Sequence, residues 1–182
     1  MPSIDELQRA VKAAVTVVPD FPSPGVNFRD ISPTWEEEPR LFRCLVDEIV
    51  RPFRDACPDV VLSIESLGYL FGAPVAYLQQ CRLVLARPAG KLAGATLRTS
   101  YSMSYSSNKH LEIHADALRR NERVLIVDDV VASGGTIAGA LELIERTGAR
   151  CVGVGCAVEV IYPGTRSRLG RADVPVHAVV QI

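Results

Sequence analysis

The sequence predicts an α/β fold, a central and mainly parallel sheet flanked by helices. Three observations carry that prediction. Runs such as residues 60–64 and 124–127 are apolar and rich in β-branched side chains, with no regular polar alternation, as expected of strands covered on both faces. Elsewhere apolar residues recur at helical spacing, as in Ile137, Ala140, Leu141 and Ile144, with Gly148 as the stop of that helix. With 48% hydrophobic and 23% charged residues, a chain of 182 residues can bury one core, so residues 1–182 are read as a single domain.

Taken in order, Ser3 and Glu6 make a capping-box pattern, and Ile4, Leu7, Val11 and Ala14 continue one helical face until Pro19 ends the segment. Residues 21–33 hold Pro22, Pro24 and Pro33, too many for a helix or a central strand, so a rigid surface loop is expected. Phe42, Leu45, Val46, Ile49 and Phe53 mark an amphipathic helix over residues 39–56, whose role is to cover the sheet. A buried strand over 60–64 runs into Glu65-Ser66-Leu67-Gly68-Tyr69, followed by a helix through Leu78. A strand over 82–86 leads into Arg87-Pro88-Ala89-Gly90-Lys91, and the serine-rich stretch 100–107 reads as a flexible connection.

Residues 110–114 alternate polar and apolar, a half-exposed strand with His110, Glu112 and His114 on a solvated face. That trio resembles a zinc motif only superficially, and no metal ligands are assigned. Residues 151–158 form a core strand ending at Glu159, a strand-end carboxylate read as structural, and residues 176–182 complete the sheet. Cys44, Cys57, Cys81, Cys151 and Cys156 include no CxxC pair and read as small buried hydrophobes without a function. A net charge of −1 gives no electrostatic footprint for nucleic acid. No apolar run reaches membrane-spanning length and no signal-peptide pattern opens the chain, so a cytoplasmic protein with no membrane partner is expected.

The most informative stretch is the junction after residue 127. Asp128 and Asp129 follow the strand as acceptor-only groups suited to a pair of sugar hydroxyls. Ala132, Ser133, Gly134, Gly135 and Thr136 then form a small-residue loop opening a helix, where backbone N–H groups, hydroxyls and the helix dipole converge on an anion. Together they describe a pocket for a ribose 5-phosphate. The Walker lysine and the three-glycine dinucleotide fingerprint are both absent, which argues against an NTPase or an NAD enzyme.

Residues 124–136 resemble the phosphoribosyl pyrophosphate (PRPP) signature of type I phosphoribosyltransferases. The rest of the chain is most similar to the adenine phosphoribosyltransferases. Residues 21–33 resemble their Phe-Pro-x-Pro-Gly-Val-x-Phe-Arg-Asp-Ile-Ser-Pro base loop, which implies that Val26, Phe28 and Arg29 bind the base. Ser66, Leu67 and Gly68 fall in the family's pyrophosphate loop, and Arg87 and Lys91 match its basic segment after the next strand. Residues 100–107 resemble the mobile hood loop whose tyrosine closes over PRPP, here Tyr105. The resemblance implies the type I phosphoribosyltransferase fold, a small hood with a mobile loop added to the sheet. It implies a pentosyl (glycosyl) transferase of purine salvage, forming AMP and pyrophosphate from PRPP and a purine, with adenine the expected base. Mg²⁺ bound to the substrate and a homodimer come with it. Asp128, Asp129, Tyr105 and Lys91 are the implied catalytic group, and Arg87, Ser66, Leu67, Gly68 and residues 132–136 the implied PRPP and phosphate contacts.

Three positions depart from the family pattern. Leu67 and Pro88 stand where cations are expected, and Ser104 where the family has a glutamate proposed as the proton partner of the purine. Losing two hydrogen bonds to charged groups would cost about 3–6 kcal/mol if uncompensated, so two alternatives accompany the leading reading. One is a non-catalytic or divergent PRPP- or AMP-binding paralogue. The other is an enzyme acting on a different phosphoribosyl compound.

Overall fold

The computed structural model describes residues 2–103, 106–161, 165 and 174–182. Seven strands form one sheet in the order β5-β6-β4-β3-β7-β8-β9. The five strands β4 (Arg82–Pro88), β3 (Val60–Ile64), β7 (Arg123–Val131), β8 (Arg150–Glu159) and β9 (Val176–Gln181) are parallel neighbours. The hairpin β5 (Thr96–Met103) and β6 (Ser106–His114) joins the edge of β4 in antiparallel fashion.

Strand alternation divides the core. Val60, Leu62, Ile64, Val124 and Ile126 face helix α5 (Gly135–Thr147) and its Ile137, Ala140 and Ile144. Val61, Leu125 and Val127 face the other way, toward α1 (Ile4–Ala14), α3 (Pro39–Val50) and α4 (Gly68–Gln79). Both faces are covered, which is why the strands carry apolar residues at consecutive positions. Gly153 lets α3 and its following turn approach the sheet: a Cβ there would lie 2.2 Å from Phe53 Cε1.

Several expectations hold. Ser3 and Glu6 form the capping box of α1, Gly148 caps α5 at φ +74°, and β9 completes the sheet. Others are corrected. The first helix ends at Ala14 rather than Pro19, because β1 (Thr16–Val18) intervenes and pairs antiparallel with β2 (Phe28–Asp30). The stretch 21–33 is therefore not all loop: Phe28, Arg29 and Asp30 follow the Pro22–Pro24 pair and have free N–H groups to pair. Pro33 opens the short helix α2 (Pro33–Glu36). Helix α3 gives way to a 3-10 turn at Arg51–Phe53, where Pro52 lacks the donor needed to continue the α-helix.

The serine-rich stretch is part of the β5–β6 hairpin, from Thr96↔His114 to Met103↔Ser106, because cross-strand pairing outweighs a local loop signal. Ser104 and Tyr105 lie outside the described residues. Glu112 is not solvated but 1% exposed and paired with Arg98. All five cysteines are free, yet only Cys156 is buried and Cys57 is exposed. No helix among the described residues is long and apolar enough to cross a membrane.

Candidate active site

From β3 the chain passes through α4 to β4 on one side, whereas from β7 it passes through α5 to β8 on the other. Neighbouring parallel strands whose connections leave in opposite directions open a crevice at their carboxyl ends, the usual ligand position in open α/β sheets. The turn after β3 (residues 65–67) and the loop after β7 (residues 132–134) meet across it. The resulting cleft has a volume of about 350 Å³.

The cleft gathers predicted residues from distant parts of the chain. Val26, Phe28 and Arg29 line it from the β1–β2 hood, where Phe21 braces Phe28 edge-to-face with ring centroids 5.3 Å apart. Ser66 and Leu67 line it from the β3 turn, whose Glu65–Ser66 peptide is cis. Asp128, Asp129, Ala132 and Thr136 line it from the β7–α5 junction. Strand β7 runs on to Val131, so both aspartates sit within its last turns of pleat rather than beyond its end.

Asp128 is 7% exposed, and its Oδ1 accepts the Asp129 N–H at 3.0 Å. Burial, reinforced by the neighbouring Asp129 charge, pushes its carboxyl well above the usual range, and burial raises Asp129 too. Two desolvated carboxylates with few protein partners are poised to accept hydroxyl hydrogen bonds. Gly68 is outside the lining but permits this packing, since a Cβ there would lie 2.7 Å from Asp128 Oδ1.

The loop of small residues forms the entrance to α5. Gly134 adopts φ +80° as the residue before α5, a conformation that favours glycine, and so turns the chain into the helix. Ser133, Gly134 and Gly135 shape the loop without lining the cleft in this state. Thr165 Oγ1 donates to Ala132 O at 2.9 Å and fixes the loop from outside.

Arg87 and Lys91 are not in the lining either. Both reach it through Glu65, whose Oε2 accepts Arg87 Nε at 2.5 Å and whose Oε1 accepts Lys91 Nζ. Burial alone would raise the Glu65 carboxyl, but hydrogen bonds from Lys91 and then Arg87 outweigh it and hold the group below the ordinary range. Tyr69, half-buried beside this cluster, has its phenol pushed up to about 12 by desolvation and donates to Ala86 O at 3.4 Å.

Sequence reasoning left Glu65 unassigned, although it is the hub of this cluster. Its signal was an acidic residue at a strand end within reach of two later cations. Asn27, Ile64, Tyr101, Val130 and Val160 also line the cleft. Tyr101 becomes legible only once residue 101 is known to lie in β5, which packs on Gly139 of α5.

Known proteins share this architecture. The phosphoribosyl transferase domain model matches residues 42–173. An adenine phosphoribosyltransferase of Acidothermus cellulolyticus is 44% identical over 169 residues, covering 93% of this chain and 94% of its own. The crystal structure of adenine phosphoribosyltransferase from Rhodothermus marinus is 38% identical, with a TM-score of 0.91 over 98% of this chain and 99% of that one. The Saccharomyces cerevisiae adenine phosphoribosyltransferase, solved with an imino-altritol bisphosphate and adenine, is 31% identical with a TM-score of 0.85 over 96% and 99%. The switch-point cleft, its paired aspartates and these likenesses along almost the whole chain agree, and the chain belongs to the phosphoribosyltransferase family, among the adenine phosphoribosyltransferases.

Proposed function

We propose that this chain, as one domain over residues 1–182, transfers the phosphoribosyl group of PRPP to adenine, releasing AMP and pyrophosphate in purine salvage. The observation that carries the reading is the cleft itself: it sets buried Asp128 and half-buried Asp129 between a small-residue helix entrance and an apolar hood. Asp128 and Asp129 accept the ribose hydroxyls, and the amides and hydroxyls of Ala132, Ser133, Gly134, Gly135 and Thr136 hold the 5-phosphate. Val26 and Phe28 supply apolar surface for the purine, with Arg29 reading its edge through the main chain. Ser66, Leu67 and Gly68 carry the leaving-group loop.

Displacement at ribose C1 proceeds through a sugar of cationic character, so the site must fix both reactants, exclude water and stabilise charge on the departing pyrophosphate. Arg87 and Lys91 are the cations for that last task, and Tyr105 closes over PRPP. Mg²⁺ binds through one or two carboxylates plus substrate phosphates. Asp128 and Asp129 are the cleft carboxylates that suit such an ion arriving with PRPP, where it would neutralise charge on the substrate.

The reading includes a homodimer. Leu70 and the 81%-exposed Tyr77 lie seven residues apart on one outward side of α4, and exposed Leu83 lies on the neighbouring strand. An apolar surface of this kind suits a second copy. Five free cysteines fit the reducing cytoplasm.

A time course of AMP formation from adenine, PRPP and Mg²⁺ tests the assignment, with Leu67→Arg in parallel. The wild-type chain is expected to turn over, and Leu67→Arg to bind pyrophosphate about tenfold more tightly through one added charged hydrogen bond. Tight AMP binding without turnover in the wild type would instead identify a binding paralogue.

A further inference from the structure

Glu112 lies on β6, far in sequence from the cleft, and its carboxylate is almost completely buried. A buried carboxylate needs strong partners. Oε1 accepts Arg98 Nε at 2.7 Å and Nη2 at 2.5 Å, while Oε2 accepts the backbone N–H of Gly90 at 2.9 Å. The Gly90 N–H, and after it Arg98, outweigh burial and hold the carboxyl below the ordinary range.

Gly90 belongs to the turn that presents Lys91, and polar contacts hold that turn. Gly90 adopts φ +83°, and a Cβ added to it would meet no atom within 4 Å, so side-chain packing does not brace it. Instead Gly90 N–H donates to Glu112, Ala89 N–H donates to His110 O at 3.2 Å, and Arg87 Nη1 donates to Lys91 O at 2.8 Å. Lys91 and Arg87 then converge on Glu65 at the cleft. A continuous chain of charged and hydrogen-bonded groups thus runs from Arg98 through Glu112 and the 89–91 turn to Glu65.

We propose that Glu112 is a positioning residue for the leaving-group side of the site: its carboxylate clamps the Gly90 turn, and the clamp sets where Lys91 and Arg87 stand relative to pyrophosphate. The inference rests on the transferase reading, and it gives these two cations added weight because Leu67 supplies none. Glu112 touches no substrate and acts through the turn.

The test compares Glu112→Ala, Glu112→Gln, Lys91→Ala and the Glu112→Ala/Lys91→Ala double variant. Calorimetry reads the affinity of magnesium pyrophosphate and of AMP separately, and thermal unfolding reads stability. Because the readout is binding, it stands whether or not the wild type turns over. Glu112→Ala is expected to weaken pyrophosphate about tenfold, equivalent to about 1.4 kcal/mol, while AMP affinity stays within about twofold. Glu112→Gln keeps an oxygen acceptor for the Gly90 N–H and should recover most of the loss. In the Lys91→Ala background, Glu112→Ala should add little, since the group it positions is gone. Equal losses for AMP and pyrophosphate, or full additivity with Lys91→Ala, would reduce Glu112 to a fold-stabilising residue and overturn the proposal. So would unchanged pyrophosphate affinity in a folded Glu112→Ala protein.

Discussion

At the scale of single residues, the site depends on carboxylates whose environments differ sharply. Glu65 is ionised by two cations, whereas Asp128 and Asp129 are pushed toward the neutral form by burial. Ribose hydroxyls would repay that desolvation by donating to the ionised acids. Asp129→Asn should therefore weaken AMP binding about tenfold or more, the size of one hydrogen bond to a charged group. Calorimetry checks this, and unchanged affinity would remove Asp129 from the sugar site. The same raised values set a direction with pH. An acid with a raised folded-state pKa ionises later, so AMP affinity should fall as pH drops through the range above the ordinary 3.8 of aspartate. Asp128 and Asp129 stood out in the sequence because they are adjacent and end an apolar run. Glu65 did not, since its meaning comes from Arg87 and Lys91, 22 and 26 positions away.

At the scale of elements, close approach matters more than local propensity. Helix α3 and its terminal turn press Ile49 and Phe53 against Gly153 and Gly155 of β8. Gly153→Ala would place its Cβ against the Phe53 ring, and overpacking of this kind costs about 1–3 kcal/mol. Chemical denaturation should show that loss, and Phe53→Leu in the same chain should recover part of it by vacating the ring edge. A neutral Gly153→Ala would mean that the ring can move aside. The β5–β6 hairpin teaches a related lesson. Its serines read as a flexible connection, yet residues 96–101 pair register by register with 109–114. Ladder bonds and the buried Leu111 and Ile113 supply what local sequence lacks. Helices α1 and α5 were more legible, because their caps at Ser3 and Gly148 act within a few residues of the ends they fix.

At the scale of the whole molecule, ion pairs tie together the ends of the sheet opposite the cleft. Asp59, leading into β3, accepts Arg123 Nη2 at 3.0 Å and the Arg123 backbone N–H at 2.8 Å, which joins β3 to β7. Hydrogen bonds from Arg123 hold the Asp59 carboxyl down to about 2. Because the folded value lies below the unfolded one, this contribution is present above about pH 4 and is lost as pH falls toward the folded value. The pair is partly solvated, so its share is small. Asp59→Asn should make the fall in melting temperature between about pH 5 and about pH 2.5 shallower by about 2 °C. An unchanged slope would mean that acid sensitivity comes from other paired carboxylates, such as Glu65 and Glu112. The sequence by itself determined the α/β class, the strand-loop-helix junction and the family, because these are written in contiguous runs whose period and composition carry the signal. Only the tertiary structure decided that five separate segments meet at the β3–β7 switch point, that Glu65 collects two cations, and that Glu112 braces the turn behind them. Those relations join residues with no fixed spacing in the chain, and the folding of strands into one sheet is what brings them within hydrogen-bond reach.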